Sequence, residues 1–218
     1  MRPRVEVATM TELDSRLRLA VALVLVVATV AAPVFGVLLV ADVSAAGFQT
    51  QVSGTTTASS TTVGNASVPA PSAVTVIVRA PESVRPRLER QVREAFAAEG
   101  LDVTVAAEIP DGDAPVVVVV VDEWDGRWNP VTPSATVEWR AVYDANGHER
   151  HVEAALAEET IVFDSRDGPD LVASGDYRLE DSATGVVSRP AYRRHLADAV
   201  AAETAQRVVA EIRRERTR

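Results

Sequence analysis

The residue types most able to do chemistry in this chain are Asp122, Glu123 and Asp125, interleaved with Trp124 and Trp128 directly after a run of six valines. Carboxylates beside indole faces suit a sugar or a hard cation. The structural alternative is a charged turn after a buried strand, its tryptophans closing the open end of a core. Other groupings are weaker. Asp164, Asp167 and Asp170 in "DSRDGPD" are spaced three and three, without the alternation and distant glutamate of a calcium loop. His148 and His151, flanked by Glu149 and Glu153, fall where a hairpin's returning strand is expected, and residues three apart on a strand point to opposite faces. His195 has no acid or nucleophile beside it in sequence, no Gly-x-Ser-x-Gly elbow occurs, and Glu158 with Glu159 means little in so acidic a chain. These residues nominate no catalytic set, no metal and no cofactor. They leave Asp122, Glu123, Trp124, Asp125 and Trp128 as a candidate ligand-binding loop.

Something must deliver that loop. The valine run 116–121 does not alternate with polar residues, so it reads as a central strand buried on both faces. "AVTVIV" and "LDVTVAA" are further strands. Between them a helix carries Val84, Leu88, Val92 and Phe96 as one apolar stripe, with Ser83 as its cap, Pro86 in its first turn and Gly100 ending it. "SATVEWRAVYD" alternates, placing Val137, Trp139, Ala141 and Tyr143 on one side. Asn146-Gly147 predicts a hairpin with "HERHVEAAL" returning, and "ETIVFDS" and "LVASGDYRLED" read as strands. A long helix over 190–216 closes the chain, its basic end suited to the negative pole. The expected fold of 73–218 is α+β, a mixed sheet covered by two helices on one face.

Before that domain, residues 17–41 form an apolar run long enough to cross about 30 Å of hydrocarbon as a helix. Arg2, Arg4, Arg16 and Arg18 precede it and no arginine follows until Arg79, so residues 1–16 are expected in the cytoplasm and the rest outside. A cleavable signal peptide is the rival reading, with "VSAAG" as its cleavage region, but its apolar stretch would run only about 7–15 residues. Residues 42–72 are rich in Ser, Thr, Gly and Ala, with almost no charge, and read as a flexible stalk. Within it Asn65-Ala66-Ser67 fits a glycosylation sequon.

The composition excludes several function classes. No cysteine is present, so disulfides, thiol nucleophiles, cysteine zinc sites and a lipidated N-terminal cysteine are all absent. Every basic residue is arginine, which removes the P-loop lysine and Schiff-base chemistry. A net charge of -9 argues against nucleic acid, whose phosphates need a basic face. An acidic, lysine-free chain resembles proteins of extremely halophilic archaea, where molar salt shortens the screening length to about 3 Å. As a whole the chain resembles uncharacterised single-span membrane proteins of haloarchaea.

The segment "GDYRLEDSATGVVSRPAYRRHLADAVAAETAQRVVAEI" runs strand, small-residue turn at Gly185, strand, amphipathic helix. With the strand–helix–strand at the domain start, that layout is similar to periplasmic accessory domains, namely the lipoproteins that activate peptidoglycan synthases and the N-terminal domain of the Tol translocation protein. The chain departs from them in lacking the lipid-bearing cysteine. What the resemblance implies is protein binding rather than catalysis, and it carries over no functional residues. The expected function is a non-catalytic accessory or assembly factor for an envelope complex, with a protein partner. A sugar- or cation-binding domain using the 122–128 loop is the second reading, and a metal-dependent hydrolase a distant third.

Overall fold

The valine run sits at the heart of a six-stranded sheet and feeds side chains to both of its faces. The computed structural model describes residues 38–61, 70–164 and 169–217. In chain order they form β1 (Ser44–Thr61), β2 (Ala73–Arg79), α1 (Arg85–Ala98), β3 (Asp102–Ala106), β4 (Val116–Arg127), β5 (Ser134–Asp144), α2 (Glu149–Leu156), β6 (Asp170–Val187) and α3 (Arg189–Glu215). The sheet order is β1-β6-β5-β4-β2-β3. β2 pairs in parallel with β3 and β4, and the other pairs are antiparallel, so the sheet is mixed and the fold α+β.

Val117, Val119 and Val121 join the larger core with Val137, Trp139, Ala141 and Tyr143 of β5 and the apolar faces of α1 and α3. Val116 and Val118 face the other way, against Val142, Val152, Leu156 and Val172. Each fully buried valine contributes about 1.5–3 kcal/mol, so a polar residue anywhere in this run would be costly. Trp139 is almost fully buried, and its indole N–H donates to Thr204 Oγ1 at 2.9 Å, which in turn donates to the Val200 carbonyl. α3 starts at Ser188, whose side chain accepts from the Ala191 amide and also from the amide of Val43. α1 has the expected apolar stripe and first-turn proline, but its N-cap is Val84 and no side chain caps it.

Three expectations are corrected. Residues 44–61, expected as part of a structureless stalk, are an 18-residue strand paired with β6 from Ser44↔Val187 to Thr61↔Asp170. Ala46, Phe48, Val52 and Ala58 lie at even spacing along it and pack on the core, and threonine's branched Cβ favours extended backbone. Second, "HERHVEAAL" is not a returning strand. Asp144 Oδ1 accepts the amides of Asn146 and Gly147, Gly147 takes φ +70, and the chain turns into α2, whose Val152 and Leu156 cover the second face of the sheet. The helices therefore lie on both faces, α1 and α3 on one and α2 on the other. Third, residues 159–164 are irregular rather than a strand.

Among the described residues no helix is long and apolar enough to cross a membrane. The predicted span lies outside them up to residue 37, with 38–40 helical. Asn65 and Asp167 also lie outside the described residues.

Candidate functional site

The five nominated ligand residues lie along β4 and just past it, not on a loop. β4 continues through Arg127, with a register shift between Val121 and Glu123, and pairs Glu123 with Glu138, Trp124 with Val137 and Asp125 with Thr136. Both Asp122 oxygens are taken by Arg140, at 2.9 and 2.6 Å, and Asp125 pairs with Arg127. Hydrogen bonding to Asp122 raises the Arg140 pKa further. Trp124 and Trp128 pack on the larger core, and the Trp128 indole donates to the Val187 carbonyl at 3.2 Å. The tryptophans thus close the end of the core.

The convergent polar cluster is elsewhere. Asp144 ends β5, His148 is the N-cap of α2, His151 lies in its first turn, and Asp170 opens β6. On a helix, residues three apart share a face, so the histidines meet instead of diverging. His148 Nδ1 lies 3.2 Å from Asp170 Oδ2, and His151 Nδ1 lies 3.1 Å from both Asp170 Oδ2 and Asp144 Oδ2. Asp144, His151 and Asp170 are buried, and His148 is partly so. Burial first, and then the Asp170 charge, push the Asp144 carboxyl above the ordinary range, against the pull of backbone amides and His151. Among the described residues these four form the grouping with metal-binding donors, their ligand atoms all within 4.8 Å of one another. Asp164 of the acidic "DSRDGPD" motif is not part of it.

His195, which has no acid beside it in sequence, has one in space. Its Nε2 lies 2.9 Å from Asp181 Oδ1 and 3.1 Å from Thr50 Oγ1, and Thr50 donates to the same Asp181 oxygen at 2.5 Å. A hydroxyl–imidazole–carboxylate relay needs the two partners on different ring nitrogens, and here they share one. The trio reads instead as a joint between β1, β6 and α3, with Phe48 stacked on His195 at 3.9 Å. Asp181 Oδ2 and the Tyr192 hydroxyl are buried nearby without a hydrogen-bond partner.

The remaining feature is the rim. β1 is one edge of the sheet and β3 the other. β3 has five residues and β1 has 18. On the uncovered face, β5 and β6 carry a charge ladder in which Arg178 pairs with Glu138 and Glu180, and Arg140 with Asp122. The exposed row of β1 beside it is Gln49, Gln51, Ser53, Thr55, Thr57 and Ser59, with no charge.

No protein-family model and no curated protein matches the chain. Solved structures similar to it include a point variant of the PelC dodecamer from Paraburkholderia phytofirmans, at 16% identity and TM-score 0.30, covering 71% of this chain and 95% of that one. The PelC dodecamer in a second crystal form gives 15% identity and TM-score 0.29 over the same shares. A minor lipoprotein from Acinetobacter baumannii gives 16% identity and TM-score 0.30, covering 66% of this chain and 94% of that one. Likeness of this degree carries no argument about function, which rests on the residues themselves.

Proposed function

We propose that this chain is a non-catalytic, membrane-anchored extracytoplasmic domain, an accessory or assembly factor in the cell envelope, and that it docks a partner protein by strand addition along β1. The observation that supports this is the β1 edge. Sheet edges are ordinarily protected by shortness, lysine, proline, bulges or an overlying element, because their unpaired amides and carbonyls template a further strand. β3 is protected by its shortness. β1 is long, pairs with β6 without a register shift, and contains neither charge nor proline. In a chain of net charge -9, a neutral edge is where an incoming strand meets least repulsion. The apolar run 17–41 would supply the anchor, and since the helical turn at 38–40 reaches β1 through 41–43 alone, the anchor leads straight into this edge.

The test uses the full chain in intact cells, with a photo-crosslinker at Thr57. Wild type should give a discrete heteromeric band, reduced at least about tenfold by Gln51→Lys, Ser53→Lys and Thr55→Lys together, since lysine guards an edge without entering the core. A band at twice the chain's own mass would mean self-pairing and overturn the heteromeric reading. Bands indifferent to the three lysines, or no bands, would overturn docking at β1.

A further inference from the structure

We propose that Asp144, His148, His151 and Asp170 form a closed, four-ligand zinc site that pins α2 and the start of β6 to the end of β5. This goes beyond the docking edge and does not depend on it. Zinc bound by imidazole nitrogen and carboxylate oxygen at about 2.0–2.1 Å sets neighbouring ligand atoms of a tetrahedron about 3.3–3.4 Å apart. The three printed separations among these donors, 3.2, 3.1 and 3.1 Å, are close to that edge.

The outer contacts of the cluster fit a metal better than hydrogen bonds do. His151 Nε2 lies 3.2 Å from the Val162 carbonyl, which can only accept, so Nε2 carries a proton. Arg150 Nε, 3.3 Å from the same nitrogen, is then a neighbour rather than its donor. In a neutral ring, Nδ1 is left with a lone pair facing two carboxylate oxygens, an arrangement that needs a cation between them. Making His151 an imidazolium supplies one N–H for two acceptors, while His148 Nδ1 aims at one of the same oxygens. A divalent ion answers all four at once. Two carboxylates and two neutral imidazoles around it sum to zero charge, which a buried site favours.

The supporting shell is also complete. Each carboxylate keeps its second oxygen on backbone amides, Asp144 Oδ1 on Asn146 and Gly147, and Asp170 Oδ1 on Leu171. His151 gives its other nitrogen to a carbonyl, as ligating histidines generally do. The donor set selects the metal: calcium and magnesium want six or more oxygens, whereas mixed imidazole and carboxylate suits zinc. Four protein ligands leave no open position for substrate, so the site is structural.

The experiment takes the purified full chain in detergent, strips it with a chelator and returns zinc. The expected result is one zinc per chain by elemental analysis and a melting temperature about 5–10 °C higher with zinc at a hundred times its Kd. Cobalt in place of zinc should give the intense visible bands of tetrahedral coordination. His148→Ala, at the least buried ligand, should lose the zinc and the shift together. Substoichiometric zinc with no shift, a weak six-coordinate cobalt spectrum, or full zinc binding by His148→Ala would each overturn the proposal. If the variant does not fold, the cobalt spectrum of the wild-type chain decides alone.

Discussion

Replacing Phe48 with alanine separates a packed strand from a flexible stalk. Phe48 is half-buried on the core side of β1, stacked on His195 at 3.9 Å and 20°, with Tyr192 beyond at 6.4 Å. A fully buried phenylalanine side chain is worth about 1.5–3 kcal/mol by transfer, so half burial leaves about 1–1.5 kcal/mol. Stacking adds about 0.5–1.5 kcal/mol. The variant should therefore lose about 2 kcal/mol, or about 4–8 °C of melting temperature for a domain of this size. The assay is denaturation of the full chain followed by tryptophan fluorescence, since Trp124, Trp128 and Trp139 all belong to or pack on the larger core. Gln49→Ala, one residue along on the exposed face, is the control and should stay within about 0.5 kcal/mol. A Phe48→Ala melt no different from that control would refute the packing of β1 on α3.

Two glycines of the same strand should respond with opposite signs. A Cβ at Gly54 would sit 2.5 Å from the Asp176 carbonyl oxygen and 2.6 Å from Tyr177 Cδ1, so Gly54→Ala should cost about 1–3 kcal/mol, whereas Gly47 has nothing within 4 Å and Gly47→Ala should gain about 0.5 kcal/mol. Equal effects in paired melts would count against the register. All three tyrosines, Tyr143, Tyr177 and Tyr192, are buried, and desolvation first of all raises each phenol above its ordinary value. The native chain then holds protons that the unfolded chain releases above about pH 10, so stability should fall as pH rises past that point. Phenolate absorbance should appear for the three together with unfolding; a tyrosine that titrates while the fold persists would contradict its burial.

Much of the fold was legible because local pattern and tertiary role agree. The valine run reads as buried on both faces and is, and the alternation of Val137, Trp139, Ala141 and Tyr143 reads as one face of a strand and is. β1 was illegible for a physical reason. Ala46, Phe48, Val52 and Ala58 do keep a period of two, but Thr50, Gly54 and Thr56 dilute it, and what holds the strand is a partner at the far end of the chain. Weak β-propensity becomes a strand when β6 supplies the ladder, and nothing near Ser44 in sequence announces β6.

The Asp/His cluster was hidden by one error of period. With "HERHVEAAL" taken as extended, His148 and His151 must diverge and the motif is dismissed; as a helix, the same spacing makes them converge. The residues themselves favoured the helix. Ala and Leu are good helix formers, and Val152 and Leu156, four apart, are a helical pair that needs an apolar surface. That surface is the second face of the valine strand, which a sheet with both helices on one side would have left open. A central strand buried on both faces therefore already demanded a covering element after β5. The helix that meets that demand also brings the two histidines to the carboxylates at the end of β5 and the start of β6.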